Sequence, residues 1–131
     1  MSKVYVYTRN SNAEAFEKGS SRETQIKKCR NYASIKDLIV DEVIEEQCSG
    51  QIPFERREKA YELLRKLKTN DHIICSHLDR FCRNTLSLLQ TIQKFKKKKI
   101  YLHFVDLNCE TTGSDAIGNV SLHMLSCFAQ F

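Results

Sequence analysis

The sequence has little proline, little glycine and no long apolar run. One proline and four glycines in 131 residues leave no room for a flexible linker or a low-complexity region. No stretch approaches the roughly 20 apolar residues that a membrane-spanning helix needs. The amino terminus, MSKVYVYTRNS, lacks the apolar core of a signal peptide. We therefore expect one domain, no membrane association and a cytoplasmic location.

Recognisable metal, disulfide and nucleotide motifs are also missing. None of the six cysteines forms a C-x-x-C pair, and neither cysteines nor histidines have the spacing of a metal site. Without a secretory signal, disulfides are not expected, and Cys75 and Cys127 are interpreted as small core residues. The chain contains no P-loop, no G-x-G-x-x-G and no G-x-S-x-G. These absences argue against metal, nucleotide and hydrolase sites, and we expect neither a metal nor a cofactor.

The net charge is mildly positive. Lysine and arginine total 21 against 16 acidic residues, which gives +5 at neutral pH. A basic balance is compatible with a polyanionic partner such as nucleic acid, but many ordinary enzymes have the same balance.

Short apolar runs alternate with amphipathic stretches. Strands are predicted at residues 3–8, 38–44, 72–76 and 100–105. Helices are predicted at residues 20–34, 56–68, 85–95 and 116–131, and loops at 48–54 and 108–114. This β-α-β-α-β-α-β-α order predicts an α/β fold with a mostly parallel central sheet flanked by helices. Lysines 96–99 are interpreted as a solvated helix end.

The last predicted helix is apolar on more than one side. A small domain has limited core to cover such a helix, so packing against a second copy of the chain is an alternative. The chain stops inside this helix without a capping signal, and we expect the helix to be truncated here.

Polar clusters follow the first three predicted strands, at residues 7–11, 49–57 and 78–83. Strand ends of a parallel sheet meet at one edge, so the three clusters are expected to converge. Each has an ordinary explanation alone: Ser11 as a turn cap, Asp79 with a neighbouring arginine as a surface ion pair, and Arg56 and Arg57 as polar residues of a helix start.

Together the clusters indicate phosphate chemistry. The chain has eight arginines, and four of them would face Ser11: Arg9, Arg80, Arg83 and one of Arg56 and Arg57. Guanidinium groups match phosphate oxygens and stabilise the charge that grows during displacement at phosphorus. A serine among them is a plausible nucleophile towards a phosphodiester.

These clusters resemble the serine recombinase family, the resolvases and invertases. Tyr7-Thr8-Arg9-Asn10-Ser11 is similar to the family's Y-x-R-x-S, and Leu78-Asp79-Arg80-Phe81-Cys82-Arg83 to its L-D-R-x-x-R. Ser49-Gly50, followed by Arg57 and Leu63-Leu64, is similar to its second motif. The resemblance covers almost the whole chain. It implies a three-layer, resolvase-like catalytic domain over residues 1–131, with a long C-terminal dimerisation helix and a DNA-binding region after Phe131.

The resemblance also implies roles. Ser11 would attack a DNA phosphodiester and form a 5′-phosphoserine intermediate, followed by strand exchange and religation, without ATP or a metal. Arg9, Arg57, Arg80 and Arg83 would bind the scissile phosphate, and Asp79 would orient an arginine. Arg56, Gln25 and Ser49 would also contact the phosphate or the DNA. Glu46 stands where the family often has an acidic residue. Double-stranded DNA would be the substrate, cut by a homodimer that assembles to a tetramer at synapsis through the C-terminal helix.

Two departures from the family pattern keep alternatives open. The spacing after Gly50 is one residue longer than usual, so Arg56 and Arg57 compete for one role, and counting back from Leu63-Leu64 favours Arg57. Cys82 stands where the family usually has glycine. A non-catalytic DNA-associated regulatory protein that keeps the fold is therefore the alternative, and an unrelated flavodoxin-like domain is a third, more distant one.

Overall fold

The structure, a computed structural model, describes residues 2–11, 22–77, 85–105 and 109–110. Its strands are β1 (Val4–Asn10), β2 (Glu42–Gln47), β3 (His72–Cys75), β4 (Tyr101–Phe104) and β5 (Cys109–Glu110). Its helices are α1 (Arg22–Ile35), α2 (Glu58–Lys66) and α3 (Thr85–Lys98), and a 3-10 helix (Phe54–Arg56) precedes α2.

The strands form one sheet in the order β2-β1-β3-β4-β5. The first four are parallel to their neighbours, and β5 is antiparallel to β4. The predicted mostly parallel sheet is therefore confirmed. All seven residues of β1 are buried, because neighbouring strands flank it and helices cover both faces. Continuous burial is typical of a strand inside a doubly covered parallel sheet.

Side-chain alternation along the strands divides the core into two halves. The half under α2 and α3 is the larger one, and its buried members are Tyr5, Tyr7, Ile44, Phe54, Ala60, Leu63, Ile73, Cys75, Ile92, Phe95, Ile100, Leu102 and Phe104. The half under α1 contains Val4, Val6, Cys29, Tyr32, Ala33 and Ile74. The result is three layers, as predicted. Cys75 is a core residue, as expected from its apolar neighbours.

The prediction for β2 was wrong by about four residues. Leu38 and Val40 do not pair with β1 but pack at the edge of the core under α1. The backbone N–H of Leu38 donates to the carbonyl of Ala33 at 2.7 Å and so closes the end of α1. The apolar run at 38–40 is thus used to end a helix, and the strand begins only at Glu42.

Two helices end on residues with positive φ that are not glycine. Asp37 follows α1 with φ 58°, and Lys99 follows α3 with φ 59°. The N–H of Ile100 donates to the carbonyl of Phe95 at 2.9 Å, the long-range bond of a Schellman ending. The lysine run therefore lies in the last turn of α3 and just after it, as predicted.

The remaining expectations divide as follows. The loop predicted at 108–114 contains the short strand β5 instead, because Phe104 and Cys109 pair. The helix predicted at 116–131, the first two residues of the helix predicted at 20–34, and Cys127 lie outside the described residues. Over the ranges that the structure describes, no helix has the length and apolar character needed to cross a membrane.

Candidate active site

The carboxyl ends of β1 and β2 bring the first two polar clusters together. Arg9 is the register partner of Glu46, and its side chain is fully buried. Its Nη1 donates to the carbonyl oxygen of Cys48 at 3.0 Å, so the guanidinium group is held against the turn that follows β2. Ser11 is half-buried and comes directly after β1. The strand end thus carries a buried cation next to a partly accessible hydroxyl.

Arg57 is the second buried arginine of this edge and is 2% exposed. It occupies the residue before α2, and its guanidinium group turns back towards the loop between β2 and α2. Nε donates to the carbonyl of Ile52 at 3.0 Å and Nη2 to that of Gly50 at 3.4 Å. Nη1 donates to the hydroxyl of Tyr7 at 3.2 Å. These bonds tie the second cluster to β1.

Glu46 anchors the start of α2 from the end of β2. Its Oε1 accepts hydrogen bonds from the backbone N–H groups of Lys59 at 3.1 Å and Ala60 at 3.0 Å. The first N–H groups of a helix lack partners inside the helix, and a carboxylate there also meets the positive end of the helix dipole. The hydroxyl of Tyr7 donates to the same Oε1 at 3.4 Å. Glu46 therefore determines where α2 begins, and with it the position of Arg57.

Tyr7 links the two clusters and was not assigned a role from the sequence. Its ring packs edge-on against Phe54, with centroids 5.1 Å apart. Burial raises the pKa of Tyr7 well above its usual value, while the nearby Arg57 guanidinium partly opposes this. The phenol thus stays protonated and can donate to Glu46. The sequence did contain one signal for such a role. Side chains alternate along β1, so Tyr7 lies on the same side of the sheet as Arg9.

Gln25 on α1 holds the end of β1 from the other face of the sheet. Its Oε1 accepts from the backbone N–H of Arg9 at 3.3 Å, and its Nε2 donates to the carbonyl of Arg9 at 3.3 Å. Nε2 also donates to the side-chain oxygen of Asn10. The amide is 3% exposed. We call this set of contacts the Gln25 clamp, and it fixes the backbone immediately before Ser11.

The other candidate residues of the second cluster are exposed. Arg56 lies in the 3-10 helix with its side chain in solvent, whereas its neighbour Arg57 is buried. Ser49 is exposed as well, and its Oγ accepts the N–H of Gln51 at 3.2 Å, which is a turn-stabilising bond. Asp79, Arg80 and Arg83 lie outside the described residues.

This edge contains two buried guanidinium groups, those of Arg9 and Arg57, and the buried carboxylate of Glu46. Burial raises the pKa of the half-buried Cys48 thiol, while the charges of Arg57 and Arg9 act in the opposite direction. Arginine keeps its charge in any protein environment, so both cations persist at this end of the sheet. Within the part of the chain that the structure describes, no three histidine, cysteine or acidic side chains gather as metal ligands would. The arrangement suits an anionic group with several oxygens.

Comparison with known proteins identifies the family. The family model "Resolvase, N terminal domain" matches residues 4–131. The chain belongs to this family. It is 27% identical over 131 residues to the Escherichia coli transposon Tn2501 resolvase, and 26% identical over the same length to the serine recombinase PinR of Escherichia coli K12. In both comparisons all of this chain aligns, and it spans 63% of the relative's length.

Solved structures of other proteins share the fold. The N-terminal catalytic domain of TP901-1 integrase superposes with a TM-score of 0.76 at 24% identity, over 98% of this chain and 95% of that one. A resolvase family site-specific recombinase from Streptococcus pneumoniae gives a TM-score of 0.66 at 19% identity, over 99% and 89% of the two chains. The resolvase-like fold expected from the sequence is thereby confirmed.

Proposed function

We propose that this chain is the catalytic domain of a serine-type, site-specific DNA recombinase and that Ser11 is its nucleophile. The observation that carries the proposal is the pair of buried arginines, Arg9 and Arg57, at the strand edge where Ser11 stands. Burying a guanidinium group is costly even when backbone carbonyls accept some of its hydrogen bonds, as they do here, and a bound phosphate would offset that cost further. Membership in the resolvase family supplies the reaction class.

The proposed reaction is a phosphoryl transfer in two reversible steps. The Ser11 Oγ attacks the phosphorus of a DNA phosphodiester and loses its proton, and the 3′ oxygen leaves as a hydroxyl after gaining one. The strand's 5′ end is then held as a phosphoserine. A 3′ hydroxyl from the exchanged strand attacks this ester and releases Ser11. Because one ester replaces another, the reaction needs no ATP, and charge stabilisation by arginine takes the place of a metal.

The two arginines would act on the phosphate oxygens from different sides. Arg9 and Arg57 are braced by backbone carbonyls, which fixes the orientation of donors before substrate arrives. Preorganised donors of this kind commonly contribute 10²–10³-fold to a rate. By resemblance, Arg80, Arg83 and Asp79 would complete the site from the third cluster.

The other residues of the site receive lesser roles in this proposal. The amide of Gln25 bonds to the backbone of Arg9, which supports a positioning role more than direct contact with phosphate. Arg56 and Ser49 are exposed and would contact the DNA backbone beside the scissile phosphate. Duplex DNA, a dimer that forms a tetramer at synapsis, and a DNA-binding region after Phe131 belong to the same proposal.

The test is a cleavage assay with the full-length protein on a suicide duplex that carries a nick beside the crossover. A covalent protein–DNA adduct is expected with the unaltered protein, attached at a 5′ end. The variant Ser11→Ala should abolish the adduct, and Ser49→Ala should form it within a few-fold of the normal yield. Adduct that persists in Ser11→Ala, or that disappears only in Ser49→Ala, would contradict the assignment of the nucleophile.

A further inference from the structure

A run of hydrogen-bonded rings crosses from α1 to the sheet, away from the candidate active site. The hydroxyl of Tyr32 lies 2.9 Å from Nδ1 of His103, and Nε2 of His103 lies 2.9 Å from Nδ1 of His72. The rings of His72 and His103 stack with centroids 5.1 Å apart. We call these three side chains the relay. It connects α1, β4 and β3 in one line.

The middle residue of the relay, His103, is shielded from water, which disfavours a positive charge on its ring. His103 is 2% exposed, while His72 is half-buried and stacks on Tyr101 at 4.6 Å. Burial, then the nearby His72 and Lys36, lower the pKa of His103 to about 3. His103 is therefore neutral at ordinary pH.

Charged residues on the elements around the relay include Lys36, Asp71 and Glu110. The ammonium of Lys36 lies 5.7 Å from the centre of the Tyr32 ring, on the α1 side. On the β3 side, the carboxylate of Asp71 already accepts the backbone N–H groups of Lys3 and Lys68 at 2.9 Å each. On the β5 side, Glu110 is the register partner of His103.

Protonation conflicts with the geometry of the relay. A neutral imidazole has one N–H donor and one acceptor, so His103 can pass hydrogen bonds along the relay in a single direction. A proton added to His103 makes both nitrogens donors and leaves a buried positive charge on the same side as Lys36. A second proton would place two cationic rings with their nitrogens 2.9 Å apart. Acid is therefore poorly tolerated unless the relay opens to water.

Helix α1 is held to the sheet by polar contacts at two positions as well as by apolar packing. The side chains of α1 that the structure describes as buried are Gln25, Cys29, Tyr32 and Ala33. Between the two polar contacts, at Gln25 and Tyr32, the side chain described as buried is that of Cys29. The two contacts are seven residues apart, which is about 10 Å along the helix axis. One contact holds the end of β1, and the other is the relay.

We propose that the Tyr32–His103–His72 relay is an acid-sensitive latch for α1, and that its opening in acid loosens the Gln25 clamp on the backbone before Ser11. The latch itself is a property of the fold. Its effect on DNA cleavage rests on the proposed function.

Hydrogen–deuterium exchange of the full-length protein, compared at pH 7 and pH 5 and corrected for intrinsic exchange rates, tests the latch. Peptides covering α1 should exchange faster at pH 5. The increase should be up to about tenfold for each pH unit below about 6.5, the ordinary pKa of histidine, whereas peptides covering α2 should change much less. The variants His103→Gln and His72→Gln carry amides that do not titrate, so the acid effect on α1 should shrink in each of them. His77→Gln, outside the relay, should retain it.

Several outcomes would overturn the latch. They are equal α1 protection at both pH values, an acid effect of the same size in α1 and α2, or an undiminished acid effect in whichever relay variant folds. Cleavage measured on the same samples separates the two proposals. Ser11-dependent cleavage with pH-independent α1 protection removes the latch and keeps the recombinase assignment. Acid opening of α1 in a protein that forms no adduct at pH 7 supports the latch and removes the recombinase assignment.

Discussion

The carboxylate of Glu46 accepts the backbone N–H of Ala60 at 3.0 Å and so caps a helix from a neighbouring strand. Replacing Glu46 with alanine should lower the free energy of unfolding by about 1–2 kcal/mol, because it leaves helix N–H groups without this acceptor. Glu46→Gln keeps one acceptor oxygen and should lose less. Urea denaturation followed by circular dichroism measures both. The exposed Glu55, in the 3-10 helix, provides the control, and Glu55→Ala should unfold within about 0.5 kcal/mol of the normal protein.

Arg56 and Arg57 are adjacent in sequence and differ in environment. Arg57→Ala should reduce formation of the covalent DNA adduct by about 10²-fold or more, because it removes a braced donor that is proposed to bind the scissile phosphate. Arg56→Ala should reduce it by less than about threefold, since its exposed side chain would contact only the DNA backbone beside the scissile phosphate, and saturating DNA offsets weaker binding. Single-turnover cleavage with saturating DNA is the measurement.

The buried position of Arg57 calls for a further control. Arg57→Lys keeps the charge but not the three-way contact with Ile52, Gly50 and Tyr7. A circular dichroism spectrum and an unfolding midpoint close to normal would show that this variant folds. Normal cleavage by a folded Arg57→Lys or Arg57→Ala, together with a large loss in Arg56→Ala, would reverse the assignment.

The pKa of His103 predicts a loss of stability in acid. Histidine in the unfolded chain has a pKa near 6.5, and that of His103 is lowered to about 3 in the fold, by burial first and then by His72 and Lys36. Between these two pH values the unfolded chain binds more protons than the folded one. The free energy of unfolding should therefore fall as the pH decreases, by about 1.4 kcal/mol per pH unit from this group.

Denaturant titrations from pH 7 to pH 4 on the normal protein and on His103→Gln measure this slope. The carboxylates titrate in both proteins, so the difference between the two curves isolates the histidine. Parallel curves would mean that His103 does not contribute, whatever the absolute stability of the variant.

Three of the cysteines in the described residues, Cys29, Cys48 and Cys75, are free thiols with different accessibility. Burial raises the pKa of Cys29 to about 12, and Cys75 is fully buried. Cys48 is half-buried at the turn held by Arg9. Iodoacetamide at pH 8 should thus modify Cys48 well before Cys29 or Cys75, as read by peptide mass spectrometry. Cleavable DNA should slow the modification of Cys48, and faster labelling of Cys29 than of Cys48 would contradict the packing.

The sequence predicted the fold well where periodicity was strong. The first four strands, the three helices between them, the parallel sheet and the burial of Cys75 followed from the apolar patterns. The start of β2 was misplaced because an apolar run has the same composition whether it pairs in a sheet or closes a helix, as Leu38 does. The non-glycine helix ending at Lys99 and the two-residue strand β5 carry almost no local signal.

The sequence predicted which segments of the candidate site come together, but not the hydrogen bonds between them. Strand-end logic correctly brought Arg9 and the loop before α2 to one edge. Counting back from Leu63-Leu64 favoured Arg57 over Arg56, but spacing could not show that Arg57 is buried and Arg56 exposed, because burial depends on how the 3-10 turn rotates each side chain. The contacts of Tyr7 with Glu46 and Arg57, and the relay of Tyr32, His103 and His72, join residues 31 to 71 positions apart, which no local pattern reveals.

The complete enclosure of β1 has a consequence for how this protein can vary. Each side chain of this strand packs in one half of the core or lies buried at the strand end before Ser11, so a substitution at any of its positions is expected to disturb packing. Adaptation to a new DNA substrate is therefore expected to spare β1 and to accumulate in the exposed turn before α2 and on the outer surface of α1. A library that randomises those two surfaces should yield far more functional variants than one of equal size directed at β1.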